Sequence, residues 1–134
     1  MREVLFRGKE VADGKWIEGF YSAEEYNPYS GEVEHIPRIQ IIGKCVSLGV
    51  IPETVGQYTG LTDKNGVKIF EGDIVHCVSK LDSADMVVIF ECGQFRMVLA
   101  EKYHKYQTNV GYYDINCFAK EVIGNIHDNP ELLE

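Results

Sequence analysis

The sequence predicts a mainly β chain. Residues 59–134 fit a small half-open barrel, and residues 1–58 a β-rich layer or subdomain, the two packed as one compact unit. Three observations predict this. The apolar stretches are short, about five residues, and several alternate with polar residues at the period of a strand. Thirteen glycines in 134 residues punctuate them, above the usual share of about 7%. No stretch carries the three-and-four spacing of a long amphipathic helix.

The elements follow in order. Val4 and Phe6 predict a first strand, Asp13-Gly14 a turn, and Trp16-Ile17-Glu18-Gly19-Phe20-Tyr21 its hairpin partner. Residues 22–36 are polar, with Asn27-Pro28 and Ser30-Gly31, and predict a long surface loop or an irregular hairpin. Ile39-Gln40-Ile41-Ile42 predicts a strand. Residues 44–51 are ambiguous, and Pro52 ends them. Residues 54–59 read as extended. Asn65-Gly66 is a strong turn signal, because both positions accept positive φ at low cost. A second turn at Glu71-Gly72-Asp73 leads into the strand Ile74-Val75-His76-Cys77-Val78. Residues 82–85 read as a loop and 86–90 as an apolar strand. Cys92-Gly93-Gln94 turns the chain into a strand whose Phe95, Met97 and Leu99 share one half-buried face. In residues 101–119, Ile115 and Phe118 stand one helical turn apart. Glu121 to Ile126 predicts the last strand. Asn129-Pro130-Glu131-Leu132-Leu133 predicts a short terminal helix, with Asn129 at the N-cap and Pro130 at N1.

Composition limits the function classes. With 21 acidic and 13 basic residues the net charge is −8. Gripping duplex DNA by its phosphates takes a surplus of Lys and Arg, so that task is disfavoured. Most of the acidic surplus lies after residue 70, which points to a partner with a basic surface. No apolar run approaches the roughly 18 residues of a membrane span, and the N-terminus does not read as a signal peptide. Cys45, Cys77, Cys92 and Cys117 form no Cys-x-x-Cys pair, so neither a zinc knuckle nor a redox motif is expected. Reduced thiols in a cytoplasm fit this pattern.

Three segments carry a resemblance. They are Met1-Arg2-Glu3-Val4-Leu5-Phe6-Arg7, then Thr59-Gly60-Leu61-Thr62-Asp63-Lys64-Asn65-Gly66 running on to Ile69-Phe70-Glu71-Gly72-Asp73-Ile74-Val75, then Glu121-Val122-Ile123-Gly124-Asn125-Ile126-His127-Asp128-Asn129-Pro130-Glu131-Leu132-Leu133. Together they resemble the YopX family of small proteins encoded by phages and prophages of low-GC Gram-positive bacteria. The resemblance implies an SH3-like barrel or roll in the C-terminal half and a setting inside a bacterial host. It supplies no catalytic residues. Gly60, Asp63, Asn65, Gly66, Glu71, Gly72, Asp73, Gly124 and Asn125 are its structural motif positions.

The candidate chemistry is sparse. Asp63-Lys64-Asn65-Gly66 invites a calcium-loop reading, but Leu61 and Gly72 would then fall where carboxylates are needed. The hairpin reading prevails. Glu71 and Asp73 flank one glycine, and paired carboxylates can do acid–base work. The structural alternative is that Gly72 supplies a special backbone conformation while Asp73 caps the turn. His76 adjoins Cys77, yet neighbours on a strand point to opposite faces and form no nucleophile–base pair. Scattered histidines carry no metal-ligand spacing, so no metal or cofactor is expected.

The tyrosines are the main surface signal. Tyr103, Tyr106, Tyr112 and Tyr113 lie among Lys102, His104 and Lys105. Aromatics beside cations can stack bases and hold phosphates of single-stranded nucleic acid. They serve equally in protein interfaces or simply cover strand edges. The candidate binding residues are Lys102, Tyr103, Lys105, Tyr106, Tyr112 and Tyr113. The leading expectation is a non-enzymatic phage accessory protein that binds proteins and self-associates, with an unidentified host or phage partner. The second is single-strand binding through residues 102–113, and the third is a hydrolase.

Overall fold

The protein is described from a computed structural model, which covers residues 4–105 and 112–134 and, of residues 24–26, 34–36 and 105, the backbone alone. The chain divides into two compact units, Met1–Tyr58 and Thr59–Glu134. The strands are antiparallel throughout the described pairings.

In the first unit, β1 (Phe6–Lys9) pairs with β2 (Trp16–Asn27), β2 with β3 (Glu32–Ile41), and β3 with β4 (Ser47–Gly49). A 3-10 turn at Pro52–Thr54 follows, and β5 (Gly56–Thr62) begins against β1 through Gly56 and Gln57. The alternatives left open for residues 22–36 resolve as the irregular hairpin. The strands continue through this polar stretch, with a register shift between Ser22 and Glu24. Asn27 makes the reversal, because its Oδ1 accepts the N–H of Tyr29 at 2.9 Å and its carbonyl that of Gly31 at 2.8 Å. Leu5, Ile39, Val50 and Tyr58 form the small buried set.

In the second unit, β5 ends and β6 (Lys68–Phe70), β7 (Asp73–Val78), β8 (Ser83–Glu91), β9 (Gln94–Leu99), β10 (Tyr113–Asp114) and β11 (Ala119–Asn125) follow. The last five form one sheet in the order β10-β9-β8-β7-β11. Pairing lines up Val122, Val75, Met86 and Leu99 in a row across four strands. The next row, Ile74, Val87 and Val98, faces the other way. Both rows lie in hydrophobic clusters, so this sheet is covered on both faces. Each large apolar side chain fully buried this way contributes roughly 1.5–3 kcal/mol. Val98 is fully buried, which corrects the half-buried reading of this strand.

No closed barrel forms among the described residues; β10 has two residues and pairs with β9. Three further expectations are corrected. Residues 83–85 belong to β8, because Ser83, Ala84 and Asp85 pair with Val78, Cys77 and His76 and extend the strand. Ile115 and Phe118 lie beyond β10 in turns, with Phe118 at φ +68°, so no helical turn carries them. The terminal helix is a single 3-10 turn, Pro130–Leu133, and Asn129 makes no side-chain cap to it. Together with the 3-10 segment Ala100–Lys105, this turn covers the Ile74–Val87–Val98 face, where Ala100 and Leu133 are buried.

Candidate functional site

The described residues of the tyrosine segment lie on two faces of the sheet. Lys102 is exposed on the 3-10 segment, and Tyr103 packs half-buried against the Val87–Val98 face. Tyr112 packs on that same face. Its hydroxyl donates to Glu91 Oε1 at 3.3 Å, and the Arg96 guanidinium lies 5.1 Å from its ring centre. Burial and then the Glu91 carboxylate raise the Tyr112 pKa, so the phenol keeps its proton. Tyr113 points the other way, opposite Met97, with its ring 5.9 Å from Phe118. Successive residues of an extended chain alternate faces, and this splits the pair. Of Lys105 only the backbone is described, and Tyr106 lies outside the described residues.

Two motif carboxylates, Asp63 and Asp73, are committed to the backbone. Asp63 is buried beside the β5–β6 turn. Its Oδ1 accepts the N–H of Asn65 at 2.8 Å and of Val67 at 2.9 Å, and its Oδ2 accepts that of Val122 at 2.9 Å. The next residue, Lys64, donates its N–H to the carbonyl of Lys120 at 3.2 Å. A turn thus occupies the outer edge of β11 where another strand would pair. Burial pushes the Asp63 pKa up, but the three N–H donors and Lys64 outweigh it and hold the carboxyl below its ordinary value. Lys64 Nζ lies 3.5 Å from Glu121 Oε2, and Asn65 Nδ2 donates to Glu121 Oε1 at 3.3 Å.

Asp73 is 1% exposed, and its Oδ2 accepts the Phe70 N–H at 2.8 Å across the turn that holds Glu71 and Gly72. Gly72 has φ +91°, a left-handed backbone that favours glycine. There its N–H reaches the Val88 carbonyl at 2.8 Å, and its carbonyl accepts the Ile126 N–H at 2.9 Å. Gly124 is required by close approach. A Cβ at this position would lie 2.5 Å from Asn129 Oδ1, the oxygen that accepts the Asn125 N–H. Asn125 Oδ1 in turn accepts the N–H groups of His127 and Asp128. Gly60 sits in β5 and Gly66 in the following turn.

A family model described as "YopX protein" matches residues 5–134. The chain belongs to the YopX family. This YopX chain is also similar to a solved structure, the crystal structure of protein EF1440 from Enterococcus faecalis. The likeness has a TM-score of 0.53 at 23% identity and covers 100% of each chain, which speaks for the fold. No curated protein matches.

The YopX chain also holds groups that sequence reasoning missed. His76 Nδ1 lies 2.7 Å from Asp85 Oδ1, as a cross-strand pair of β7 and β8. Placing Asp85 in a loop hid this pair. Its signal was the hydrophobic run starting at Met86, which sets the register. A cavity of about 270 Å³ is lined by Cys77, Ser83, Met86, Leu99, Tyr113 and Phe118, among others. Burial pushes the Cys77 thiol up to about 11. The thiolate is the nucleophilic form, so this sulfur is inert at neutral pH. Among the described residues no group of three His, Cys, Asp or Glu side chains is placed to hold a metal. No helix there is long and apolar enough to cross a membrane.

Proposed function

We propose that this YopX-family chain is an accessory protein of a bacterial phage or prophage, acting in the host cytoplasm as a protein-binding module that associates with itself. The supporting observation is how the first unit distributes its apolar residues. Among its described residues Leu5, Ile39, Val50 and Tyr58 are buried, whereas Val11, Val33, Ile42 and Val46 remain in water. Ile42 and Val46 border the turn into β4, a short strand at the edge of its sheet. A strand edge flanked by apolar side chains is a template for pairing with another chain. The carboxylates of Asp63 and Asp73 already hold backbone N–H groups, which favours a structural role for them over acid–base work.

Sedimentation of the full chain over a wide concentration range tests the reading. A mass that rises with concentration is expected, and the double variant Ile42→Lys, Val46→Lys is expected to stay monomeric. Both sites are exposed, so the substitutions should change folding stability by no more than about 0.5 kcal/mol each. A strict monomer at every concentration rejects self-association.

A further inference from the structure

The cavity of the second unit belongs to no sequence motif, and the self-association reading does not use it. Its floor is built on β7 and β8, where Cys77 stands opposite Ala84 and Met86 follows on the same face. Cys77 and Met86 are buried. Leu99 of β9, opposite Met86, lines one side. Phe118 lines another, its ring centre 5.9 Å from that of Tyr113. Phe118 has φ +68°, a left-handed backbone that is uncommon for an aromatic residue. Lys120 secures it there, because its ammonium donates to the Cys117 and Phe118 carbonyls at 3.0 Å each. Strain that the surroundings hold in place clusters at ligand sites.

The mouth is polar. Ser79, Asp82 and Ser83 line it and are exposed. Ser79 Oγ donates to the Asp82 carbonyl at 3.1 Å, and Asp82 Oδ1 accepts the Ser83 N–H at 2.7 Å. Among the described residues Asp82 Oδ2 has no partner. Asp82 is also the one charged side chain among the described lining residues. Lys80 of the same turn makes no ion pair with it, and the Lys120 ammonium is taken up by the two carbonyls.

We propose that this cavity binds a small arylalkyl amine, with the ring among Met86, Leu99 and Phe118 and the ammonium at Asp82. Size, wall and mouth each narrow the occupant. Liquid water takes about 30 Å³ per molecule, so about 270 Å³ holds the volume of roughly nine waters, or one ring with a short chain. Apolar and aromatic walls with a few polar groups at one end are the usual make-up of a small-molecule site. A ring meets Phe118 and Tyr113 by offset or edge contacts. The Asp82 carboxylate repels an anionic head group and attracts an ammonium.

Carbon-13 methyl NMR of the full chain labelled at methionine tests this. The chain has three methionines, and among the described ones Met86 alone lines the cavity. Its signal is assigned by Met86→Leu, a swap that keeps volume. Titration with benzylamine should move the Met86 methyl signal the most, with half-saturation at about 1 mM, within reach of a one-ring ligand. Benzyl alcohol should bind about three- to fivefold more weakly, the range of one exposed charge contact, and benzoate more weakly still. Asp82→Asn should remove the preference for benzylamine over benzyl alcohol and leave benzyl alcohol unchanged. Ala84→Phe, placed to fill the cavity, should abolish binding of both, and the Met86 shift locates the site if that variant does not fold. The proposal is overturned if roughly 20 mM benzylamine leaves the Met86 signal in place. It is equally overturned if benzoate binds as tightly as benzylamine, or if folded Ala84→Phe binds as the parent does.

Discussion

At the scale of single residues, Asp63 has the most consequence for stability. One carboxylate accepts three backbone N–H groups from two separate segments, Asn65 and Val67 in the turn and Val122 in β11. Hydrogen bonds to charged groups contribute more than neutral ones, so Asp63→Asn should cost about 2 kcal/mol in urea unfolding at pH 7. The folded carboxyl titrates below its unfolded value. Its contribution is therefore complete above the unfolded pKa of about 4 and is lost as pH falls through the folded value. The parent should lose stability over that acid range, and Asp63→Asn should lose less. Equal losses in the two proteins would show that Asp63 is not the group responsible.

At the scale of elements, the strands of the second unit differ from a surface sheet because both rows of side chains are covered. Val98→Thr tests this, since the swap nearly keeps shape and adds a hydroxyl. In a buried row it should cost about 1–3 kcal/mol, read from the shift in unfolding midpoint. A solvent-facing row would show almost no change. This is also where the limits of the sequence lie. The strands from β6 to β9 were legible, because Asn65-Gly66, Gly72 and Cys92-Gly93 mark their ends and short apolar runs fill them. The two-residue turn at Cys92-Gly93 has φ +52° and +77°, the positive pair that joins tightly twisted strands. The inner half of the β2–β3 hairpin was legible as strand, and its outer half stayed open between a loop and an irregular hairpin, because most of its residues are polar. The second covered face of β9 escaped detection because its lid comes from Ala100, Leu132 and Leu133, far apart in sequence. In the tyrosine segment the reverse holds for Tyr112 and Tyr113, neighbours in sequence that one step along an extended chain divides between two faces.

At the scale of the whole molecule, the two units differ in how much apolar surface they bury. Among the described residues, the second holds two full clusters on either side of β7, β8 and β9, and the first holds four large buried apolar side chains. Stability should be uneven along the chain. In native-state hydrogen exchange, the amides of β7, β8 and β9 are expected to be the slowest, with those of the outer β2–β3 hairpin exchanging faster by at least tenfold. Uniform protection would show that the chain opens only as one cooperative block.

The cysteines turn this imbalance into a gauge. Cys45, Cys92 and Cys117 are exposed, and Cys77 is enclosed between β8 and β11. A thiol reagent added to the native protein has three immediate targets and one that waits for the second unit to open. The delay of the fourth adduct, timed against the first three in the same tube, is a clock for that opening. It runs without a denaturant, a label or any knowledge of the partner.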